Sequence, residues 1–307
     1  MMNLDEIEAD LLKTVANIEG VPEGAYNFRV NGKAIGRKSS NHINVEPRPE
    51  GDGLKITIAK DTKAEAVHIP VIISKSGYKE VVYNDFYIGD NAEVTIIAGC
   101  GIYNCGTDDS IHDGVHRFYI GKNAKVKYIE KHYGAGPSKG KILNPTTELY
   151  LSEGSHAELE MEQIKGVDST VRTTKATLEK NAKIIINERL FTHGNQNVTS
   201  SYEVDLKEEN TSANIVSRSV ARDYSEQKFS SNIIGETKCK GHSECDAIIM
   251  DEASVLATPA LDAKSLDAEL IHEAAIGKIA GKQLMKLMTL GLTRGQAESQ
   301  IINGFLK

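Results

Sequence analysis

In "HAELEMEQI", residues 156–164, Ala157, Leu159 and Met161 alternate with Glu158, Glu160 and Glu162. That period of two puts apolar side chains on one face of a strand and acids on the other. The design recurs. "IGDNAEVTII" (88–97), "IGKNAKVKYI" (120–129), "LSEGSHAELEM" (151–161) and "LEKNAKIIIN" (178–187) each give a polar turn, a small residue and a strand. A recurrence at roughly thirty residues signals a repeat architecture. No amphipathic helical pattern interrupts residues 54–270, which disfavours a doubly wound α/β fold or a barrel jacketed by helices. The chain therefore reads as mainly β, a coil of stacked parallel strands in which each rung buries its inward side chains on the next and the ends need capping. An antiparallel β-sandwich is the alternative.

Only the two ends switch to a helical period. Leu4, Ile7, Leu11, Leu12 and Val15 predict a short N-terminal helix, and the Gly-, Pro-, Asn- and Ser-rich stretch after it predicts an irregular, turn-forming segment up to residue 53. At the other end Leu284, Leu287 and Met288 share a helical face, Gly291 stops that helix, and Thr293 caps a second with Gln296 as its capping-box partner. The expected organisation is an N-terminal helix and irregular segment (1–53), a β-helix core (54–275) and a C-terminal helical hairpin (276–307). That hairpin either closes the open end of the coil or docks a partner through its Met and Leu side chains.

Composition narrows the functional classes. With 40% hydrophobic residues among 307, the chain can bury a large core, while a net charge of −7 gives no basic field for nucleic acid or an anionic membrane. The N-terminus is acidic and amphipathic rather than a basic leader, and no apolar run reaches membrane-spanning length, so the expectation is cytoplasmic. Four cysteines are too few for a disulfide framework in so long a chain, which turns attention to thiolate and metal chemistry.

"ETKCKGHSECDAIIMDE" (236–252) sets Cys239, His242 and Cys245 at three-residue steps. On a strand, 239 and 245 share one face and 242 takes the other, so one continuous strand does not aim all three at one metal; a closed zinc site is disfavoured. His272 and Glu273 also face opposite ways, and only one of them joins the face of Cys245. Cys100 and Cys105 sit in what reads as a Gly-rich interruption, followed by Asp108, Asp109, His112, Asp113 and His116. Those residues suit a thiol relay, or aspartates acting on a sugar as in β-helical polysaccharide hydrolases. The absence of Trp weakens the second reading. A purely structural or zinc-stabilised β-solenoid is the third.

Taken together, the segments resemble the SufB/SufD family of the SUF iron–sulfur cluster assembly system. "LDAELIHEAAIGKIAGKQLMKLMTLGLTRGQAESQIINGF" (266–305) is similar to the family's ending, "ECDAIIM" to the "QCDS" segment of SufB-type scaffolds, and "AGCGIY" falls where those scaffolds carry another functional cysteine. The resemblance implies a right-handed parallel β-helix with terminal helices, no enzymatic activity of its own, and a scaffold in a complex with a SufC-like ABC ATPase bound through the C-terminal helices. It implies Cys245 as leading ligand of a transient cluster, with His272 and Glu273 as non-cysteine ligands, and Cys100 as acceptor of sulfur from a donor protein, passing it along the coil interior. Cys239 and Cys105 have no counterpart, and stand as an extra ligand and an extra sulfur carrier or as bystanders. Cys245, His272 and Glu273 together favour the SufB-like role, as a homodimer or beside a SufB/SufD-type paralogue. The chain lacks the long N-terminal region of typical SufB and ends about one helix early, so ATPase docking is expected to be reduced or rearranged.

Overall fold

Each repeat of the sequence becomes one turn of a coil with one strand in each of two sheets. The computed structural model describes residues 4–18 and 20–307. After helix α1 (Glu6–Ala16), strands β1 (Ala25–Val30), β2 (Lys33–Lys38), β3 (Ile43–Pro47) and β4 (Gly53–Ile58) form the first end, followed by the short β5 (Glu65–His68) and β6 (Val71–Ile73). The rungs then run through β7 (Lys79–Ile88), β8 (Glu93–Tyr103), β9 (Ser110–Ile120), β10 (Lys125–Ala135), β11 (Lys141–Leu143), β12 (Thr146–Leu151), β13 (His156–Lys165) and β14 (Ser169–Leu178). They continue as β15 (Lys183–Thr192), β16 (Asn197–Leu206), β17 (Thr211–Ala221), β18 (Glu226–Gly235), β19 (Cys239–Ile249), β20 (Ser254–Ala263) and β21 (Ala268–Gly277), before helices α2 (Gly281–Thr289) and α3 (Arg294–Phe305).

One sheet stacks β5/β6, β8, β10, β13, β15, β17, β19 and β21; the other stacks β4, β7, β9, β11/β12, β14, β16, β18 and β20. The rungs pair in parallel register throughout. The result is a parallel β-solenoid of about eight turns. Its recurring corner is the polar turn of the sequence. Asn91, Asn123 and Asn181 take φ near +58°, +55° and +60°, a left-handed conformation that Asn tolerates better than other side-chain-bearing residues. The small residue that follows, Ala92, Ala124 or Ala182, is fully buried. Prolines 70 and 145 lie between β5 and β6 and between β11 and β12, because proline has no N–H for the ladder.

Register makes the repeat visible in aromatic ladders. Phe86 and Phe118 stack inside the coil at 4.5 Å, and Tyr87, Tyr119 and Tyr150 stack outside it at 5.0 and 5.2 Å. Ala157, Leu159 and Met161 are buried and their intervening glutamates face outward.

The N-terminal segment is more ordered than its composition suggests. Within the stretch expected to be irregular, β1 and β2 form an antiparallel hairpin across Asn31-Gly32, both at positive φ (45° and 80°). An Asn-Gly pair between alternating strands is a strong hairpin signal; the surrounding turn residues masked it. β3 pairs antiparallel with β4, and β1 adds in parallel to β5 and β6, so this segment contributes strands to both sheets. α1 begins at an Asp5–Glu8 capping box and buries Leu11, Leu12, Val15 and Ala16.

The C-terminal hairpin forms as its caps predict. The Thr293 side chain accepts from the Gln296 N–H, the Gln296 side chain accepts from the Thr293 N–H, and Gly291 has φ +94°. Yet the last rung stays uncovered: Leu261 (39%), Leu266 (106%) and Ile276 (40%) are exposed, as are Met285, Met288 and Leu290 of the hairpin region.

Candidate functional site: a buried polar file between two cysteines

Alternation dictates that every second residue of a rung points into the coil, where an apolar core is expected. In β10 the inward set is Val126, Tyr128, Glu130 and His132; in β14 it includes Thr170, Arg172 and Thr174; in β15, Ile184, Ile186 and Glu188. Arg172, Glu130, Glu188 and His132 are 1–3% exposed. Buried charges are costly even when paired and are weak evidence for stability, so a line of them through the core points to function.

The line begins at Cys100 on β8. Its neighbours Gly99 and Gly101 do not interrupt the strand. They let α1 lie against it: a Cβ on Gly99 would come 2.4 Å from the Val15 carbonyl oxygen, and one on Gly101 3.2 Å from Leu11. Cys100 points the other way, inward, opposite His132 on β10, where the His112 and His132 imidazoles act on its thiol. Burial pushes the thiol up, but the charges and hydrogen bonds of the two imidazoles outweigh it and bring the thiol down to about 7. Burial likewise opposes charge on the histidines. His112 is nevertheless raised to about 10, chiefly by the thiolate and then by Glu80, and His132 to about 9, chiefly by Glu130. Glu80 Oε1 lies 3.0 Å from His112 Nδ1, while its Oε2 accepts from Arg29 Nε at 2.8 Å. This is a thiolate–imidazolium site with its own carboxylate anchor.

Beyond His132 the contacts continue rung by rung. His132 Nε2 is 3.5 Å from Glu130, which accepts from Tyr128 Oη at 3.1 Å and forms a close ion pair with Arg172 Nη1. Arg172 Nε faces Glu188 at 3.6 Å without a hydrogen-bond partner. Glu188 accepts from Ser200 at 2.6 Å and Ser217 at 2.7 Å, and Ser217 stands in register with Cys245. Glu130 is held well below the usual carboxylate range: burial opposes ionisation, and Arg172 and His132 override it. A third buried histidine, His116, is different; burial pushes it down to about 4, so it is neutral beside Tyr128 Oη at 2.8 Å. From Cys100 on β8 to Cys245 on β19 is five strand spacings, roughly 24 Å.

At the far end Cys245 is buried and its thiol is pushed up to about 12, first by burial and then by Glu188 and Asp246. It is a protonated thiol until something displaces the proton. His272 lies on the same inward face of β21, opposite Ser243, and its Nδ1 is buried without a partner. A thiol on β19 and an unsatisfied imidazole nitrogen on the terminal strand β21 are a donor pair that suits a soft metal. Glu273 points to the other side of the sheet, opposite Glu244. Cys239 shares the inner face of Cys245 but six residues of extended strand, roughly 20 Å, separate them, and burial raises its thiol. Cys105 is exposed just after β8, with its sulfur 3.6 Å from Ser76 Oγ.

The aspartates do not converge. Asp108 packs at Gly77, Asp109 at Gly140, and Asp113, on the outer face of β9, accepts from Asn144 at 2.9 Å. Asp109 and Asp113 are separated by four residues of nearly extended chain, roughly 13 Å, beyond the ~5–9.5 Å at which two carboxyls flank a glycosidic bond.

Sequence reasoning overlooked Glu80, Glu130, His132, Arg172 and Glu188 as candidates. Their signal was present: each is a charged or imidazole side chain at a position whose pleat parity points into the coil.

The molecule is thus a parallel β-solenoid whose core carries a file of buried charged and imidazole groups between Cys100 and Cys245. The family profile described as SUF system FeS cluster assembly, SufBD core domain, matches residues 76–305; the chain belongs to the SufBD family. It is 28% identical to an iron–sulfur cluster assembly SufBD family protein of Pyrococcus horikoshii over 97% of this chain and 94% of that one. With the corresponding protein of Archaeoglobus fulgidus it shares 30% identity over 78% of this chain and 65% of the relative. For that of Methanothermobacter thermautotrophicus (strain Winter) the figures are 28%, 77% and 57%. The matched region thus spans about three-fifths of the latter two relatives. No helix among the described residues is long and apolar enough to cross a membrane.

Proposed function

We propose that the chain is the scaffold component of a SUF-type iron–sulfur cluster assembly complex, with a SufB-like role. What supports the reading is the continuous file from the Cys100 thiolate to the Cys245 thiol. Cys100 attacks the outer sulfur of a donor persulfide: a new S–S bond forms on Cys100, the donor S–S bond breaks, and the donor leaves as its thiolate. An external thiol pair then supplies two electrons and is itself oxidised to a disulfide, releasing the sulfur as hydrosulfide and regenerating the thiolate. The cationic groups His132 and Arg172, with the unsatisfied Arg172 Nε and the serines beyond, line the route for this anion.

Cys245 on β19, one rung in from the end, and His272 on the terminal strand β21 are the ligands for the nascent cluster; Glu273 lies across the sheet from them. Metal binding there displaces the thiol proton, and so few protein ligands let the product leave. The protein holds and positions its cargo and is not an enzyme. The exposed Met285, Met288 and Leu290 suit α2 and α3 to a SufC-like ABC ATPase. The unpaired edges of β20 and β21 suit pairing with a second copy or a SufB/SufD-type paralogue. A cytoplasmic setting would keep all four thiols reduced.

Anaerobic reconstitution with ferrous iron and sulfide tests the ligands. A cluster in the parent, read by absorbance and Mössbauer spectra, should be lost in Cys245→Ser; an identical cluster in that variant removes the assignment. Radiolabelled sulfur from a persulfide donor should label the parent and not Cys100→Ser, and labelling that ignores this substitution refutes the route.

A further inference from the structure

We propose that His242, Glu244 and Glu273 bind a divalent first-row metal ion on the outer face of β19 and β21, on the opposite side of the sheet from Cys245. One ligand atom from each side chain lies within 4.8 Å of the others, and His242 Nε2 is 3.6 Å from Glu273 Oε2.

The argument begins with register. Along the outer faces, charges on neighbouring strands meet opposite charges: Lys127 with Glu158 at 2.8 Å, Lys175 with Glu203 at 3.3 Å, Lys240 with Glu269 at 3.0 Å. Glu244 and Glu273 stand directly opposite each other, the one carboxylate pair in direct register among the described residues. Like charges so placed destabilise a sheet unless a cation lies between them. The nearest arginine, Arg218, is 3.9 Å from Glu244, a loose contact that leaves Glu273 unmatched.

The imidazole is oriented for the task from outside the cluster. His242 Nδ1 donates to Asn214 Oδ1 at 2.8 Å on the neighbouring strand, which leaves the Nε2 lone pair turned toward Glu273. Ligating histidines are characteristically held by such a bond on their other nitrogen. Two carboxylates neutralise a divalent charge, and an N,O,O donor set suits iron, zinc, cobalt or manganese better than a thiophilic ion. The side chains of His242, Glu244 and Glu273 are 32%, 22% and 68% exposed, so a hydrated ion can reach them and keep water at its remaining positions. Glu273, on the terminal strand, is the ligand free to swing inward and close the set. If the assembly reading above holds, on which this last step rests, the occupant is ferrous iron held one sheet thickness from the thiol.

The test is anaerobic titration of the metal-free chain with cobalt(II), then with ferrous iron. The parent should take up one cobalt with visible d–d bands and no intense sulfur-to-cobalt band in the near ultraviolet, and Cys245→Ser should behave identically. His242→Ala and Glu273→Gln should each weaken binding at least tenfold. Asn214→Ala should weaken it about tenfold with stoichiometry unchanged; melting temperatures confirm that the variants fold. No stoichiometric uptake by the parent overturns the site, as does uptake that survives His242→Ala combined with Glu244→Gln, or that is lost only in Cys245→Ser. Cobalt binding without cluster formation would remove the assembly reading and leave the site standing. A cluster on Cys245 without cobalt binding would do the reverse.

Discussion

Replacing His132 with Asn isolates the feature on which sulfur chemistry at Cys100 depends. The thiol sits at about 7 against an ordinary 9.0 although burial acts to raise it. Two pH units amount to about 2.7 kcal/mol in favour of the thiolate. At pH 7 that difference separates a half-ionised thiol from one that is about 1% ionised. An opposite charge within reach shifts a pKa by about 1–3 units, so His132→Asn should raise the midpoint by about one unit or more. With His112→Gln added, only burial remains and the midpoint should pass 9.0. His116→Asn should leave it unchanged, because His116 is neutral at this pH. The assay is the pH dependence of thiolate ultraviolet absorbance in a Cys105→Ser background, which removes the exposed thiol; Cys239 and Cys245 are raised and stay silent in this range. Equal midpoints in the parent and the double variant would refute the imidazolium account.

The Glu130–Arg172 pair should behave as a buried ion pair does. Arg172→Met strands Glu130 and should cost about 3–5 kcal/mol by urea unfolding, whereas Arg172→Met with Glu130→Gln should cost clearly less than the two single losses added; additive losses would show that the two do not interact. The sign of the pH dependence follows from the buried histidines. His116, with a folded pKa near 4, contributes stability that is present above pH 6.5 and lost as pH falls toward 4, on the order of 3 kcal/mol. His112 and His132, raised to about 10 and 9, contribute stability present below pH 6.5 and lost as pH rises through those values. Unfolding midpoints should therefore fall on both flanks, and His116→Asn should flatten only the acid one.

What the sequence determined by itself was everything carried by short-range pattern. The alternation in "HAELEMEQI", the Asn-Ala corners and the caps at Thr293 and Gly291 are local, so the strand repeat and the helical hairpin were legible. So was the division of Cys239 and Cys245 from His242, since pleat parity is fixed by counting. Glycines 99 and 101 misled because their reason, the helix α1 packed on them, comes from more than eighty residues earlier in the chain. The file was decided only by tertiary structure. Arg172 meets Glu130 and Glu188 because a strand of one sheet projects its side chain across the coil between two rungs of the other. Parity gave the direction of each side chain, but the partner it meets depends on the register of rungs about thirty residues apart. The same register turns His272 inward toward the face of Cys245 and sets Glu273 against Glu244 outside, deciding which of two residues that parity had already put on opposite faces joins the thiol.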